Sequence, residues 1–200
     1  MSSSTGSNRP SVIVVTGPSG AGKGTLIREL LKRVPQLAVT VSATTRDRRP
    51  GEEEGREYRF LTPEAFLARI EADAFLEQVV YVSGHRYGTL KSELERIRGQ
   101  GQVPLLELET EGALDVKARE PGAVTIFISA AVAELERRLR ERATESTGEI
   151  GERIALAREQ LDQADSFDYV IENDDLERAV EELTELVRGL LAPAGTMSRP

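Results

Sequence analysis

Nine consecutive residues near the beginning of the sequence have the types and spacing of a phosphate-binding loop. They are Gly17, Pro18, Ser19, Gly20, Ala21, Gly22, Lys23, Gly24 and Thr25. Glycines let backbone N–H groups approach an anion without a Cβ atom in the way, and a lysine supplies a mobile cation for the outer phosphates. The stretch therefore predicts a site for the phosphate groups of a nucleotide.

The flanking residues place this loop between a strand and a helix. Residues 12–15 are β-branched, as in a strand buried on both faces, and apolar residues recur at helical spacing over 26–34. The general pattern G-x-x-x-x-G-K-[ST] has a hydroxyl directly after the lysine, where this chain has Gly24. We therefore expect Mg²⁺ to be held by Thr25, directly or through water. A plain glycine-rich turn is the alternative.

A second group combines two guanidinium groups with two phenols: Arg46, Arg49, Tyr58 and Tyr87. Arginine forks match phosphate oxygens bidentately, and two arginines three residues apart in one loop suit one dianionic phosphate. The alternative is a solvated basic loop whose arginines pair with the acids at 52–54. Residue chemistry alone does not decide between the two.

A third group lies on a strongly charged helix predicted over 132–142. Arg138 and Arg142 are four residues apart and share a face, and Arg153 belongs to the next helix. Arginines of this kind can neutralise charge on a transferring phosphoryl group. Taken alone, such a helix is more often a solvated face paired with its own glutamates.

The composition limits the classes of function. The 200 residues carry a net charge of −8, which argues against a general nucleic-acid partner, and the absence of cysteine excludes disulfides and thiolate metal sites. No apolar run approaches the roughly 18 residues of a membrane span, and residues 1–10 lack the apolar core of a signal peptide. We expect a cytoplasmic enzyme, and we expect the single histidine, His85, to be a turn residue.

Strands alternating with helices predict an α/β fold with a parallel sheet flanked by helices. Residues 42–91 break this alternation and predict a small inserted α+β domain, while 1–10 and 192–200 read as a loose lead and tail. Four local signals mark helix starts: Thr62 before Pro63, Thr89 or a neighbour before a helix reaching Arg98, Ser146-x-x-Glu149, and Asp174-x-x-Glu177.

The stretch V-S-A-T-T-R-D-R-R-P-G-E-E-E-G-R-E-Y-R-F, at 41–60, resembles the GMP-binding segment of guanylate kinases. Phe75-Leu76-Glu77, Tyr87-Gly88-Thr89, the three arginines at 138, 142 and 153, and residues 171–175 continue the resemblance in order, over about 11–190. It implies one domain over 11–191, with a P-loop core (11–41, 92–130 and 165–191), a GMP-binding insert (42–91) and a helical lid (131–164). It also implies transfer of the ATP γ-phosphoryl group to GMP, and to dGMP, with Mg²⁺.

The resemblance also implies roles for individual residues. ATP would be bound by the loop from Gly17 to Thr25 and by Asn173, and the chemical step would be carried by Lys23, Arg138, Arg142 and Arg153. The GMP site would comprise Ser42, Arg46, Arg49, Glu52, Tyr58, Glu77, Tyr87, Thr89, Glu107 and Glu109. Glu77 is the expected specificity residue, because one carboxylate can accept from both N1–H and N2–H of guanine.

Two departures from the family pattern affect these assignments. The family usually has two aspartates in D-x-D-x-Q-G, where this chain has Glu107, Glu109 and Glu111 before Gly112. Glu77 and Tyr87 are one residue further apart than the family pattern, which predicts a bulge in the turn at 83–86. Two alternatives remain open: a non-catalytic guanylate-kinase-like binding module, and a P-loop kinase for another monophosphate or a ribose bisphosphate. The sequence does not indicate an oligomeric state.

Overall fold

The computed structural model describes residues 9–81, 84–142 and 147–192. In chain order the elements are β1 (Val12–Thr16), α1 (Lys23–Arg33), β2 (Leu37–Val39), β3 (Ala43–Thr44), β4 (Arg59–Phe60), α2 (Pro63–Glu71), β5 (Phe75–Val80), β6 (Arg86–Leu90), α3 (Lys91–Gly99), β7 (Val103–Glu107), α4 (Thr110–Arg119), β8 (Ala123–Ser129), α5 (Val132–Arg142), α6 (Thr147–Asp162), β9 (Tyr169–Glu172) and α7 (Leu176–Leu191). A single 3₁₀ turn, Ala164–Ser166, lies between α6 and β9.

Five parallel strands form the main sheet in the order β2-β7-β1-β8-β9. The central strand β1 is buried on both faces, since Ile13 and Val15 pack into one apolar cluster while Val12 and Val14 pack into another. Helices α1, α5, α6 and α7 contribute to the first cluster, and α3 and α4 to the second. The predicted α/β class is confirmed. Within the described residues, no helix combines the length and apolar character needed to cross a bilayer.

A second sheet lies within the sequence stretch that breaks the strand–helix alternation. Its strand order is β4-β3-β6-β5, with β3 antiparallel to β6 and β6 antiparallel to β5. It has its own apolar cluster, in which the rings of Phe66 and Phe75 stack with centroids 4.4 Å apart. The division into core, insert and lid remains a prediction, with this sheet as its structural support.

One of the predicted helix starts needs correction. Thr62 does cap α2, because its Oγ1 accepts a hydrogen bond from Ala65 N at 3.2 Å. The start predicted at Thr89 or a neighbour falls at the neighbour, Leu90, which precedes α3 without a side-chain cap, while Thr89 itself lies inside β6. The cap of α7 is Asp175, which accepts from Arg178 N at 2.9 Å, and not Asp174. The Ser146 signal lies outside the described residues.

The bulge predicted for the turn at 83–86 stays a prediction, because residue 83 lies outside the described residues; the register shift that the described residues contain lies at the other end of the hairpin. The register of β5 against β6 shifts between Phe75 and Glu77, so that Phe75 is opposite Leu90 and Glu77 is opposite Thr89. The shift places Leu76 where it joins the buried cluster shared with β1 and α4. Within the turn, residues 82 and 83 lie outside the described residues, while the single histidine, His85, directly precedes β6.

Candidate active site

The glycine loop connects β1 to α1, as its sequence predicts. Gly17 and Gly22 have positive φ angles of 136° and 89°, which residues with a Cβ atom rarely adopt. There is also no space for a side chain at either position. A Cβ atom would collide with the carbonyl group of Ile128 at Gly17 and with the side chain of Asn173 at Gly22. The loop is therefore shaped by close backbone packing against β8 and the end of β9.

Lys23 is the first residue of α1 and its side chain folds back over the loop. Its Nζ atom donates to the carbonyl oxygens of Gly17 at 2.6 Å and Pro18 at 3.2 Å. Burial lowers the pKa of Lys23, while the nearby carboxylates of Glu109 and Glu107 act in the opposite direction. The ammonium group of Lys23 is partly desolvated and hydrogen-bonded to two carbonyl oxygens, with two carboxylates nearby. Such a group can bind anionic phosphate oxygens.

A cavity of about 360 Å³ lies beside this loop. Lys23 and Thr25 line it together with Glu107, the last residue of the core strand β7, and Glu109, two residues further on. Arg28 also lines this cavity, and its Nη2 atom is 3.4 Å from Thr25 Oγ1. We call this space the donor cavity. The first turn of α1 faces it, so the partial positive charge of the helix N-terminus adds to that of the lysine.

Arginines from α5 and α6 reach the same loop. The guanidinium of Arg138 donates to the carbonyl oxygen of Gly20 at 3.1 Å and is held by Glu134 at 2.6 Å. Arg153 donates to Ser19 Oγ at 3.1 Å. The side chain of Arg142 lies outside the described part of the chain. Two of the three predicted lid arginines therefore contact the loop directly.

Asn173 lies at the end of β9, behind the loop. Its side chain is buried, and its Nδ2 atom donates to Ala21 O at 2.7 Å. Among the described residues its Oδ1 atom has no hydrogen-bond partner. Asn173 therefore fixes the backbone of the glycine loop from the side opposite Lys23.

A larger cavity of about 430 Å³ opens between the main sheet and the second sheet. Of the residues predicted for a monophosphate site, it is lined by Ser42, Tyr58, Glu77, Tyr87, Glu107 and Glu109. The rings of Tyr58 and Tyr81 stand edge-on to that of Tyr87, at centroid distances of 5.7 and 4.9 Å. We call this space the acceptor cavity. The donor and acceptor cavities share three lining residues: Lys23, Glu107 and Glu109.

Glu77 is a buried acid in the wall of the acceptor cavity, only 5% exposed. No described lysine or arginine forms an ion pair with it, and burial raises the pKa of its carboxyl group. Thr89, directly opposite on β6, partly counteracts this rise. The Thr89 hydroxyl is itself buried and lacks a hydrogen-bond partner of normal geometry among the described residues. This pair is therefore a buried polar patch beside the cavity with no cationic partner among the described residues.

Arg46 and Arg49, the two arginines predicted to bind the acceptor phosphate, lie at the edge of the acceptor cavity. Arg46 forms a two-pronged ion pair with Glu52, at 2.7 and 3.0 Å, and its guanidinium lies over the Tyr58 ring at 5.3 Å. The Glu52 hydrogen bond, strongest of several influences, raises the pKa of Arg46. Arg49 is exposed and donates through its backbone N–H to Glu52 at 2.8 Å. Neither arginine lines the cavity, nor do Glu52 and Thr89.

Some lining residues were missed by the sequence reasoning. Arg28 belongs to a helix whose charged face gives no local signal, and Tyr81 precedes a turn. Glu57 and Glu111 also line the acceptor cavity. Tyr58 and Tyr87 could have been grouped with Tyr81 as three of the four tyrosines in the chain.

Comparisons with known proteins agree with this arrangement. The guanylate kinase family model matches residues 9–190. Guanylate kinase of Synechococcus sp. (strain JA-3-3Ab) is 49% identical over 90% of this chain and 82% of that protein. Guanylate kinase of Rubrobacter xylanophilus is 48% identical over 92% of this chain and 96% of that protein.

Similarity extends to a solved structure. The crystal structure of guanylate kinase from Anaplasma phagocytophilum superimposes with a TM-score of 0.71 at 27% identity, covering 94% of this chain and 90% of that one. The matches in sequence and in structure both span the two sheets and the helices α5 and α6. On these grounds the chain belongs to the guanylate kinase family.

Proposed function

We propose that this protein transfers the γ-phosphoryl group of ATP to GMP, giving ADP and GDP. The observation that carries the proposal is the pair of cavities that meet at Lys23, Glu107 and Glu109. One cavity is lined by a phosphate-binding loop and the other by an unpaired buried acid with a cluster of tyrosines. Membership of the guanylate kinase family supports the same donor and acceptor.

The acceptor base is recognised by Glu77 in this account. Guanine presents N1–H and the N2 amine side by side, and a single carboxylate can accept from both. Adenine has no such pair of donors, so it would leave a buried carboxylate unpaired, at a cost of a few kcal/mol. Ser42 and Thr89 are proposed to complete the contacts to the base. The unpartnered Thr89 hydroxyl supports this role.

The acceptor phosphate is proposed to bind Arg46, Arg49, Tyr58 and Tyr87. The guanidinium of Arg46 is already oriented, because its Nη1 and Nη2 atoms both donate to the Glu52 carboxylate and it stacks over the Tyr58 ring. Arg49 forms no ion pair within the described residues, so its charge is available for a dianion. Because neither arginine lines the cavity, the proposal requires the loop over 46–52 to close onto the substrate.

In the chemical step, a phosphate oxygen of GMP attacks the γ-phosphorus in line, and the bond to the bridging oxygen of ADP breaks. A covalent intermediate and a dedicated general base are not needed, since the attacking oxygen already carries charge. Lys23, Arg138, Arg142 and Arg153 are proposed to stabilise the charge on the transferring group. Closure over the nucleotides excludes water, which would otherwise hydrolyse ATP.

The residues of the donor cavity fit a magnesium ion. Thr25, Glu107 and Glu109 offer the oxygen ligands that Mg²⁺ prefers, and this ion is usually held by one or two protein groups together with substrate phosphates. The described residues contain no group of three or more His, Cys, Asp or Glu side chains that could hold a metal ion by itself. When bound, the ion would neutralise charge on the β- and γ-phosphate oxygens.

Two other functions, a non-catalytic binding module and a kinase for another monophosphate, fit the observations less well. A non-catalytic binding module predicts a degraded phosphate loop, whereas here every loop glycine and Lys23 is present. A kinase for another monophosphate has no support in the relatives, which are guanylate kinases. Use of dGMP is proposed because no contact assigned here depends on the 2′-hydroxyl. The cytoplasmic location remains a prediction from the sequence.

Phosphorus-31 NMR of a mixture of ATP, Mg²⁺, GMP and enzyme tests the proposal. We expect the phosphate signals of GDP to grow in equal proportion to those of ADP. ADP and inorganic phosphate without GDP would identify an ATPase and refute phosphoryl transfer to GMP.

A further inference from the structure

Glu93, on α3, is a buried acid that the proposed mechanism does not use. Its side chain is 1% exposed and accepts hydrogen bonds from three residues. Val41 N lies at 3.2 Å, Arg59 Nη2 at 3.1 Å, and Arg96 donates through Nε at 3.1 Å and Nη2 at 2.7 Å. Both carboxylate oxygens are therefore saturated with donors.

These donors come from different parts of the fold. Arg96 is on α3 itself, one turn beyond Glu93. Val41 belongs to the segment that leaves the main sheet after β2, and Arg59 is on β4 of the second sheet. Helix α3 is anchored to the main sheet, since Leu94 packs with β1 and β7 residues in a common apolar cluster. The Glu93 carboxylate therefore connects α3, which packs on the main sheet, to β4 of the second sheet and to Val41, where the chain passes from one sheet to the other.

Two of the tied residues are neighbours of acceptor-cavity residues in the sequence. Val41 directly precedes Ser42, and Arg59 directly follows Tyr58; both Ser42 and Tyr58 line the cavity. A further hydrogen bond, from Arg59 N to Ser42 O at 2.9 Å, joins these two segments. A shift of the Glu93 carboxylate would therefore displace Val41 and Arg59, and with them the adjacent cavity residues Ser42 and Tyr58.

The charge on Glu93 is permanent under ordinary conditions. Burial alone would raise the pKa of this carboxyl group, but Arg96, the Val41 N–H and Arg59 outweigh it and lower the pKa to about 2. The tie is therefore present throughout the neutral range. Buried networks of this kind also contribute to stability, so the effect of removing Arg59 must be compared with the effect of removing Arg96.

We propose that Glu93 is a positioning residue that holds the Ser42 and Tyr58 wall of the acceptor cavity against the main sheet through Arg59. The inference rests on the proposed function, because it assigns that wall to GMP. The tie to Arg96 stays within α3 and does not reach the cavity. Loss of the Arg59 contact should therefore impair GMP binding, while loss of the Arg96 contact should not.

The test compares Arg59→Met with Arg96→Met in the full-length protein. Each variant removes one arginine from the same carboxylate and leaves the other in place. Arg96 supplies two of the four hydrogen bonds to Glu93 and Arg59 supplies one, so Arg96→Met is the more demanding control for stability. For Arg59→Met we expect the KM for GMP to rise about five- to tenfold and the KM for ATP to change less than about twofold. For Arg96→Met we expect both KM values to stay within about twofold of wild type.

A readout independent of activity accompanies the kinetics. Hydrogen exchange of backbone amides over 42–44 and 58–60 should be faster in Arg59→Met than in Arg96→Met. Equal effects of the two variants on the KM for GMP, or no effect of either, would overturn the inference. A wild-type enzyme that does not phosphorylate GMP would instead refute the proposed function, so the two failures are distinguishable.

Discussion

Glu77 and Thr89 are directly opposite each other across β5 and β6, and both are buried beside the acceptor cavity. Among the described residues, the carboxylate has no cationic partner and the Thr89 hydroxyl has no hydrogen-bond partner of normal geometry. Because buried polar groups are normally satisfied, we propose that a ligand in the cavity that Glu77 lines supplies donors to this carboxylate. The guanine edge has the required donors.

The first prediction concerns base selection. In Glu77→Gln the side-chain amide would present an N–H toward the guanine N1–H or N2 amine, so the kcat/KM for GMP should fall roughly a hundredfold. Turnover of AMP, which lacks this donor pair, should change far less. Steady-state assays with both nucleotides measure the ratio. Glu111→Gln, which removes a charge from the same cavity, is the control, and a comparable loss there would show that net charge matters more than Glu77.

The second prediction concerns stability and pH. Because burial raises the folded-state pKa of Glu77, the folded protein holds this proton more tightly than the unfolded chain. Its contribution to the free energy of unfolding should therefore decrease as pH rises from about 4.5 through the raised pKa. Glu77→Gln should be more stable than wild type at pH 7, by about 1 kcal/mol. Urea unfolding at pH 5 and pH 7 gives both values, and a less stable variant at pH 7 would contradict the expectation.

The third prediction concerns Lys23. Its hydrogen bonds to Gly17 O and Pro18 O are local, so Lys23→Ala should keep the fold. The loss of the cation beside the phosphates should lower kcat by about a thousandfold. Circular dichroism and steady-state kinetics check the two parts. Lys32→Ala, on the exposed face of the same helix, is the control, and near-normal turnover in Lys23→Ala would remove the lysine from the mechanism.

The fourth prediction concerns the phosphate clamp. Arg46→Lys keeps the charge but loses the fork that pairs with Glu52 and with a phosphate, so the KM for GMP should rise about tenfold. The KM for ATP should be nearly unchanged. Arg56→Lys, which alters an exposed arginine of the same loop, is the matched control. An unchanged KM for GMP in Arg46→Lys would favour the alternative of a solvated loop.

The sequence predicted the elements whose signals are local. The glycine loop, the β-branched strand before it and the Thr62 cap each depend on a few adjacent residues. Strand β6 was missed because its residues, including Gly88, lack the alternation of a strand, and it forms by pairing with β3 and β5. The same pairing buries Thr89, which the sequence places at or beside the start of a helix.

The arrangement of the site depends on contacts between distant segments. Glu107 and Glu109 were recognised at the end of a strand, but only the fold places them between two cavities. The Arg46 pair with Glu52 was considered as an alternative to phosphate binding, and the structure contains it. The Glu93 network joins residues 52 positions apart, which no local pattern could indicate.

The most direct test of the central claim measures ADP formation by the wild-type enzyme with ATP, Mg²⁺ and one acceptor at a time: GMP, dGMP, AMP, CMP or UMP. The account predicts rapid turnover with GMP and dGMP, and at least about a hundredfold lower kcat/KM with the other three. Equal turnover with AMP, or none with GMP, would contradict it.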